Sequence, residues 1–307
     1  MRPTNDERHD DQIQMTSHRA FSIGRVWAIT ENTLTDLTRQ RVFYILLIFA
    51  LVLIGSSVFL ARFSFQQEFQ ILKDVSFGAI SIFTSLLAVL ASARLIAQDI
   101  EERTIYTILA KPVPRFEYVL GKLGGVLLLL ALSTLIMAMM FFTLLYWREQ
   151  VVLHETAQQF ANASQDQIVE ALRAVRGSAF NADIFPGIAV IYLKACLLAA
   201  LTLFVSTFAT TNIFTIFVMT FVYFIGHLQG IAREYWLQQN SAGVLTSTFL
   251  AIVALVFPDL QAFNLVDGIV AGTAIPGTLF IKTVVLGIFY ITVYTLLAIF
   301  AFYGKEL

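Results

Sequence analysis

Residues 94–122 read RLIAQDIEERTIYTILAKPVPRFEYVLGK, and this polar stretch lies between two apolar runs that are each long enough to cross a bilayer. Twelve of its residues are Asp, Glu, Lys, Arg, Gln or Thr, in a chain that is 58% hydrophobic. From Asp99 to Ala110 the spacing is helical, and Pro112 and Pro114 end any helix there, because the residue before a proline disfavours the α region. The pattern predicts a short surface helix with a charged face open to a partner. A solvated loop that follows the positive-inside rule is the alternative.

The composition of the chain is that of an integral membrane protein. Charged residues make up 13% of the sequence and the mean hydropathy is +0.76, whereas soluble domains are about 25% charged. The net charge of −1 gives no sign of nucleic-acid binding. A single cysteine, Cys196, excludes a disulfide or a cysteine-based metal site within one chain.

Six apolar runs are long enough to span a bilayer, which requires about 20 residues each. They cover residues 42–61, 77–97, 123–147, 186–208, 213–230 and 275–303. A shorter apolar run within residues 242–264 suits an external re-entrant hairpin, and counting it as a span would give seven. The sequence therefore predicts an all-α integral membrane protein with six transmembrane helices.

The segments outside the spans have three different characters. Residues 1–18 are polar and predict a disordered cytoplasmic tail before a single transmembrane domain over 19–307. Residues 21–41 carry an apolar stripe at helical spacing, which predicts an interfacial amphipathic helix with Trp27 at headgroup depth. Residues 148–185 form an external loop whose Ser164-Gln-Asp-Gln167 predicts a capped helix. The distribution of Lys and Arg, twelve inside against seven outside, favours cytoplasmic N- and C-termini.

The central stretch also carries a family resemblance. The sequence ERTIYTILAKPV at 102–113, followed by R-x-E-Y-x-x-G-K at 115–122, resembles the permease subunits of type-two ABC transporters, and most closely those of the multi-copper enzyme maturation subgroup. The resemblance covers nearly the whole chain. It implies an N-terminal elbow helix, a cytoplasmic coupling helix between helices 2 and 3, and an external hairpin before helix 6.

The resemblance further implies that the chain is one half of an exporter in the inner (plasma) membrane. Its partners would be two ABC ATPase subunits, which carry ATP and Mg, a second permease copy in a homodimer or heterodimer, and membrane lipid. Seven residues would couple to the ATPase: Asp99, Glu101, Glu102, Arg103, Thr104, Tyr106 and Lys111. The chain lacks the phosphate-binding motif G-x-x-x-x-G-K-[ST]. Gly121-Lys122 would match its centre, but Phe116 stands where the first glycine is required and Leu123 stands where Ser or Thr is required. We therefore expect no ATP hydrolysis by this chain and no bound cofactor or metal.

Polar and aromatic residues inside the spans are candidates for a translocation path or dimer interface. Lys194 lies about 12 Å along the fourth run, and an intramembrane charge is a functional-site hypothesis, although its stem could snorkel. Ser85 and Ser92 give the second run a small-residue face that suits packing or a lining. Aromatic residues form a stripe on the fifth run, which lipid contact would also explain and which the resemblance implies lies beside the path: Phe214, Phe217, Phe221 and Phe224.

Two other function classes remain as alternatives. A membrane enzyme or assembly factor that needs no ATPase would show clustered titratable residues within the spans, and only Lys194 and Lys282 qualify. A secondary transporter driven by an ion gradient would show inverted repeats and intramembrane acids, and the spans contain no Asp or Glu.

Overall fold

A computed structural model describes residues 21–62, 67–101, 114–160, 164–209, 211–238, 258–270, 272–273 and 275–304. These residues are helical with short connections, and no β-strand occurs among them. The predicted tail over 1–18 lies outside the described residues. So do most of the predicted coupling helix and the first part of the predicted hairpin.

The described residues form nine α-helices and one 3₁₀ helix. In chain order they are α1 (Ile23–Thr38), α2 (Arg41–Ala61), α3 (Glu68–Glu101), α4 (Arg115–Gln159), α5 (Gln165–Ala179), α6 (Ile184–Phe208), α7 (Asn212–Gln238), the 3₁₀ helix Leu260–Phe263, α8 (Val266–Val270) and α9 (Gly277–Tyr303).

Six of these helices, α2, α3, α4, α6, α7 and α9, are long and apolar enough to cross a membrane, which agrees with the predicted number. The bounds of three helices differ clearly from the prediction, and one of them is α7, which ends at Gln238 instead of residue 230. Helix α3 begins at Glu68 instead of residue 77, and α4 continues to Gln159 instead of ending near 147. At about 1.5 Å per residue, the 45 residues of α4 extend about 68 Å, well beyond a hydrocarbon core of about 30 Å. The loop predicted over 148–185 is therefore largely helical.

The extensions of α3 and α4 are held by polar contacts. The Arg148 guanidinium on α4 lies 2.6 Å from the Glu68 carboxylate on α3. The Lys73 Nζ on α3 donates to the Ser178 carbonyl at the end of α5 at 2.7 Å. Helix α5 has the predicted capping box, in which Gln167 accepts from the Ser164 backbone N–H at 3.3 Å. The charged groups of Glu68, Lys73 and Arg148 therefore have partners within the protein, although hydropathy alone would predict that they are exposed to solvent.

Helices α3 and α6 form the centre of the bundle. Helix α3 packs against α2, α4, α6 and α7, and α6 packs also against α9. Small side chains, such as Ala88 and Ala93 on α3 and Ala195 and Ala199 on α6, are fully buried. Small residues allow the backbones of membrane helices to approach closely.

Helix α1 packs against the first turns of α4 through glycines. A Cβ atom at Gly121 would lie 2.7 Å from the Ile29 Cβ, and one at Gly125 would lie 2.6 Å from the Thr33 Cβ. The Thr30 hydroxyl donates to the Gly121 carbonyl at 3.1 Å across this contact. The Gly121-x-x-x-Gly125 pair thus packs against α1 rather than against another span.

The side of α1 that faces away from α4 is not covered by other residues that the structure describes. Ile23 and Trp27 are exposed, whereas Thr30, Thr33 and Leu37 face the bundle. The predicted apolar stripe is therefore divided between an exposed N-terminal part and a buried C-terminal part. An exposed Trp beside an apolar surface is typical of a membrane interface.

The described part of the predicted re-entrant region packs into the bundle. Leu260 and Phe263 of this region are buried against α6 and α7, and Ile269 on the following helix α8 is buried against α3 and α6. Gly226 on α7 makes room for this segment, because a Cβ atom there would lie 2.7 Å from the Leu260 Cγ.

Candidate functional site

The residues on both sides of the undescribed segment 102–113 are tied to the bundle. We call these flanking residues, Asp99, Arg115, Glu117, Tyr118 and Lys122, the anchor cluster. Asp99 in the last turn of α3 lies 2.6 Å from the Lys122 Nζ on α4 and accepts a hydrogen bond from the Tyr118 hydroxyl. The Lys122 Nζ also lies 5.6 Å from the centroid of the Tyr118 ring. The end of α3 and the start of α4 are thereby joined.

Glu117 joins the start of α4 to α1. Its carboxylate is fully buried and accepts hydrogen bonds from the Arg25 Nε at 2.7 Å, the second Arg25 nitrogen at 2.8 Å and the Ser22 backbone N–H at 2.9 Å. The hydrogen bonds to the carboxylate raise the pKa of the Arg25 guanidinium, so Arg25 stays charged. A bidentate pair of this kind fixes both distance and orientation.

Arg115 joins the start of α4 to the end of α9. Its guanidinium donates to the Tyr303 carbonyl at 2.9 Å and to the Phe302 carbonyl at 3.3 Å, and it lies 5.7 Å from the Tyr303 ring centroid. A cation at the C-terminus of a helix satisfies carbonyls that have no partner within the helix. The Tyr118 ring stacks on Phe302 with centroids 5.7 Å apart. Three helices therefore meet α4 within its first two turns.

The predicted coupling residues begin at Asp99, which belongs to the anchor cluster, and the others lie between Asp99 and Arg115 in the sequence. Asp99 is the one whose side-chain contacts are described. Glu101 is the last residue of α3, and nothing is described of its side chain. The remaining predicted coupling residues lie outside the described residues: Glu102, Arg103, Thr104, Tyr106 and Lys111.

A second feature is an apolar groove between α3 and α7. It encloses about 200 Å³, and its lining includes Ser85, Leu86, Met219, Tyr223 and Phe224. Both Ser85 and Tyr223 carry a hydroxyl into this lining, and the Ser85 hydroxyl donates to the Ser81 carbonyl at 2.7 Å. The structure thus places one predicted serine and one predicted phenylalanine in a common cleft.

The groove lining does not include four other predicted residues of the second and fifth runs, Ser92, Phe214, Phe217 and Phe221. The four side chains of the aromatic stripe on α7 are between 53% and 61% exposed in the single chain: Phe214, Phe217, Phe221 and Phe224. Phe217 and Phe221 contact each other, with ring centroids 4.8 Å apart. Ser92 is fully buried and does not line the groove. The stripe is a surface that a lipid or another chain would cover.

Lys194 has a partner that its sequence context does not reveal. Its side chain is 5% exposed, and the Nζ donates to the Ser81 hydroxyl on α3 at 2.6 Å. Ser81 lies one helical turn from Ser85.

The hydrogen bond between Lys194 and Ser81 joins two spans, because Lys194 lies on α6 and Ser81 lies on α3. Because Ser81 and Lys194 are 113 positions apart, no local spacing indicates the contact. Within the described part of the chain, no three His, Cys, Asp or Glu side chains come together as a metal site would require.

Comparison with known proteins agrees with this architecture. The family profile described as "ABC-2 family transporter protein" matches residues 27–307, which covers nearly the whole chain. A search of curated proteins gives no match. The six long apolar helices and the extent of the family match lead to one conclusion: the chain belongs to the ABC-2 family of transporter membrane proteins, the permease component of ABC transporters.

Proposed function

We propose that this permease is the membrane subunit of an exporter and that a separate ABC ATPase drives it through the segment from Asp99 to Lys111. The observation that supports this proposal is the anchor cluster. A segment whose two ends are clamped by ion pairs to the helix bundle transmits an applied displacement to the bundle, whereas a loosely attached loop absorbs it.

The anchor cluster suggests which helices would move. A push on residues 102–113 acts at once on the end of α3 and on the start of α4, because Asp99 holds both Lys122 and Tyr118. Glu117 carries the movement to α1, and Arg115 carries it to the end of α9. The expected motion is a rigid-body tilt of the spans, which is a common form of switching in packed helical proteins.

The groove between α3 and α7 is the proposed substrate path. Its mostly apolar lining, with the hydroxyl groups of Ser85 and Tyr223 among the lining residues, suits the apolar portion of an amphiphile. In the proposed assembly two permease copies meet through the exposed aromatic stripe of α7, so that the groove opens toward the second copy. The partner copy is either identical or a similar permease, and two ATPase subunits complete the transporter with their ATP and Mg.

Orientation and location belong to the same proposal. The protein lies in the inner membrane of the cell. Its N- and C-termini are on the cytoplasmic side, because the ATPase must reach segment 102–113 from that side. Helix α1 then acts as the elbow helix, with Trp27 at the interface. The subgroup linked to multi-copper enzyme maturation is the nearest resemblance, and it is retained as a prediction.

A pull-down tests the ATPase partner directly. The tagged chain is extracted from its native membrane in mild detergent, and ATPase activity is measured in the eluate. We expect a nucleotide-binding subunit to co-purify and the double charge reversal Glu101→Arg, Glu102→Arg to remove it, since charged rim contacts determine partner choice. The matched control is Asp166→Arg, Glu170→Arg, which reverses two exposed acids on α5.

The possible results separate the function classes. Loss of the ATPase in the first variant but not in the control supports the docking assignment. Retention of both the ATPase and transport in the first variant contradicts it. If the wild-type chain is purified without any ATPase from several detergents, an ATPase-independent transporter or membrane assembly factor becomes the better explanation, and Lys194 with its neighbours becomes the first site to test.

A further inference from the structure

Two adjoining cavities lie beside the anchor cluster, at the end of the bundle that carries α1. The first encloses about 350 Å³ between α1, the α1–α2 link, the last turns of α3 and the start of α4. Its charged lining consists of Arg39, Arg94 and Lys122 with Asp36 and Asp99. The volume is within the range of about 300–1,000 Å³ that is usual for small-molecule sites.

The charges around this first cavity do not cancel. Lys122 and Asp99 form an ion pair with each other at 2.6 Å, so their charges are mutually compensated. The remaining charged lining residues are Arg39, Arg94 and Asp36, so one positive charge is in excess. A cavity lined in this way favours an anionic ligand.

The second cavity is smaller and apolar. It encloses about 110 Å³ between the start of α2, the last third of α3 and α4, and its lining includes Val42, Phe43, Leu87 and Leu129. The adjacent outer surface of α2 is also apolar and exposed, as at Ile45. An alkyl chain that begins in this cavity can continue along that surface.

The two cavities meet at Arg94. Arg94, Gln40 and Leu37 line both of them. The Arg94 guanidinium lies 3.5 Å from the Gln40 side-chain oxygen, a long contact that leaves it at the boundary between the polar and the apolar space. An arginine fork at such a boundary is suited to a phosphate group that carries an apolar chain, because guanidinium binds phosphate oxygens in a bidentate manner.

We infer that these cavities form a binding site for an anionic phospholipid. The phosphate lies at Arg94 and Arg39, the glycerol and headgroup occupy the polar cavity, and the first part of one acyl chain enters the apolar cavity. In the proposed orientation the ligand comes from the cytoplasmic leaflet, whose anionic lipids collect at basic pockets of membrane proteins. The site is separate from the groove between α3 and α7.

Lipid binding to the purified full chain tests this inference. Dioleoyl phosphatidylglycerol is titrated into the detergent-solubilised chain, and bound lipid is counted by native mass spectrometry with dioleoyl phosphatidylcholine as the neutral comparison. We expect tighter binding of the anionic lipid, and we expect Arg94→Gln and Arg39→Gln each to weaken it about tenfold, as the loss of a charge-assisted hydrogen bond implies. Arg39 is exposed, so its variant tests the site even if Arg94→Gln folds poorly.

Two further variants make the test specific. Arg41→Gln removes an exposed charge two residues from Arg39 that lines neither cavity, and its affinity should stay within about twofold of the wild type, in line with a modest surface-charge effect. Val42→Phe fills the apolar cavity without a change of charge and should weaken phosphatidylglycerol binding. Inorganic phosphate, the soluble source of the same chemistry, should not displace the lipid.

Three results would overturn the inference. If Arg41→Gln lowered the affinity for phosphatidylglycerol as much as Arg39→Gln does, general surface charge would explain the binding. Equal binding of phosphatidylcholine would show that the site does not distinguish an anionic from a neutral lipid. Displacement by inorganic phosphate together with an unaffected Val42→Phe would indicate a soluble anion as the ligand. The measurement needs neither nucleotide nor ATPase, so it can fail while the proposed exporter function stands, and the converse also holds.

Discussion

Three glycines of α4, Gly121, Gly124 and Gly125, lie close to α1, and enlarging the two that would meet Cβ and backbone atoms should separate the helices. In Gly121→Ala the new Cβ would lie 2.7 Å from the Ile29 Cβ and 3.1 Å from the Val26 carbonyl oxygen. In Gly125→Ala it would lie 2.6 Å from the Thr33 Cβ. Because ordinary carbon–carbon contacts are about 3.5–4.0 Å, α1 must move away by about 1 Å.

The size of the effect follows from two opposing contributions. Overpacking costs about 1–3 kcal/mol at each position, because the clashing atoms include backbone and Cβ atoms that cannot rotate away. Replacement of a helical glycine by alanine stabilises the helix by about 1 kcal/mol at each position, because alanine has the higher helix propensity. For the double variant Gly121→Ala, Gly125→Ala we therefore expect a net loss of about 2 kcal/mol in the free energy of unfolding.

Thermal unfolding of the detergent-purified chain, followed by tryptophan fluorescence, measures this loss. The matched control is Gly78→Ala on α3, where a new Cβ atom would meet nothing within 4 Å, so its midpoint should stay level or rise. If the double variant unfolds at or above the midpoint of the Gly78→Ala control, the close approach of α1 to α4 is wrong. The role that we assign to the Glu117–Arg25 pair would then be wrong as well.

Three other substitutions test the remaining contacts. Lys194→Met removes a buried charge and the bond to Ser81, so we expect unchanged or slightly higher thermal stability but at least tenfold slower transport in vesicles. Undiminished transport would show that Lys194 has no role in translocation. Arg115→Ala releases the end of α9, and the ratio of substrate moved to ATP hydrolysed should fall while the ATPase still co-purifies; an unchanged ratio would remove Arg115 from the coupling route. Arg148→Met leaves Glu68 without its cation and should lower the free energy of unfolding by about 1–3 kcal/mol in chemical denaturation; a loss below that range would show that the pair is solvated.

The apolar spans were the part of the fold that the sequence predicted best. The runs at 42–61, 186–208 and 275–303 correspond within two residues at each end to α2, α6 and α9. Hydropathy is sufficient there because these helices are apolar over nearly their whole length. The six long helices and the capped helix α5 were predicted for the same kind of local reason.

The prediction was less accurate where a helix depends on distant partners. The polar residues at the start of α3 and the end of α4 are typical of loops in a local reading of the sequence. In the structure, Glu68 and Arg148 form an ion pair although they are 80 positions apart. The pairing of Glu117 with Arg25 spans 92 positions, and nothing in either local sequence indicates it. A single sequence carries the residue types of such contacts but not their partners.

The proposed lipid site and the proposed coupling segment share the Asp99–Lys122 pair, which lines the polar cavity and also joins α3 to α4. If the ATPase pushes this segment, the shape of the cavity changes, and phosphatidylglycerol affinity should change when the ATPase binds. Linkage then requires that the lipid change the ATPase affinity by the same factor. Both affinities can be measured on one preparation, by lipid titration with and without the ATPase and by ATPase titration with and without the lipid. A lipid affinity that does not respond to the ATPase would mean that the pair is rigid on docking, and the movement would then have to pass through Glu117 and Arg115 alone.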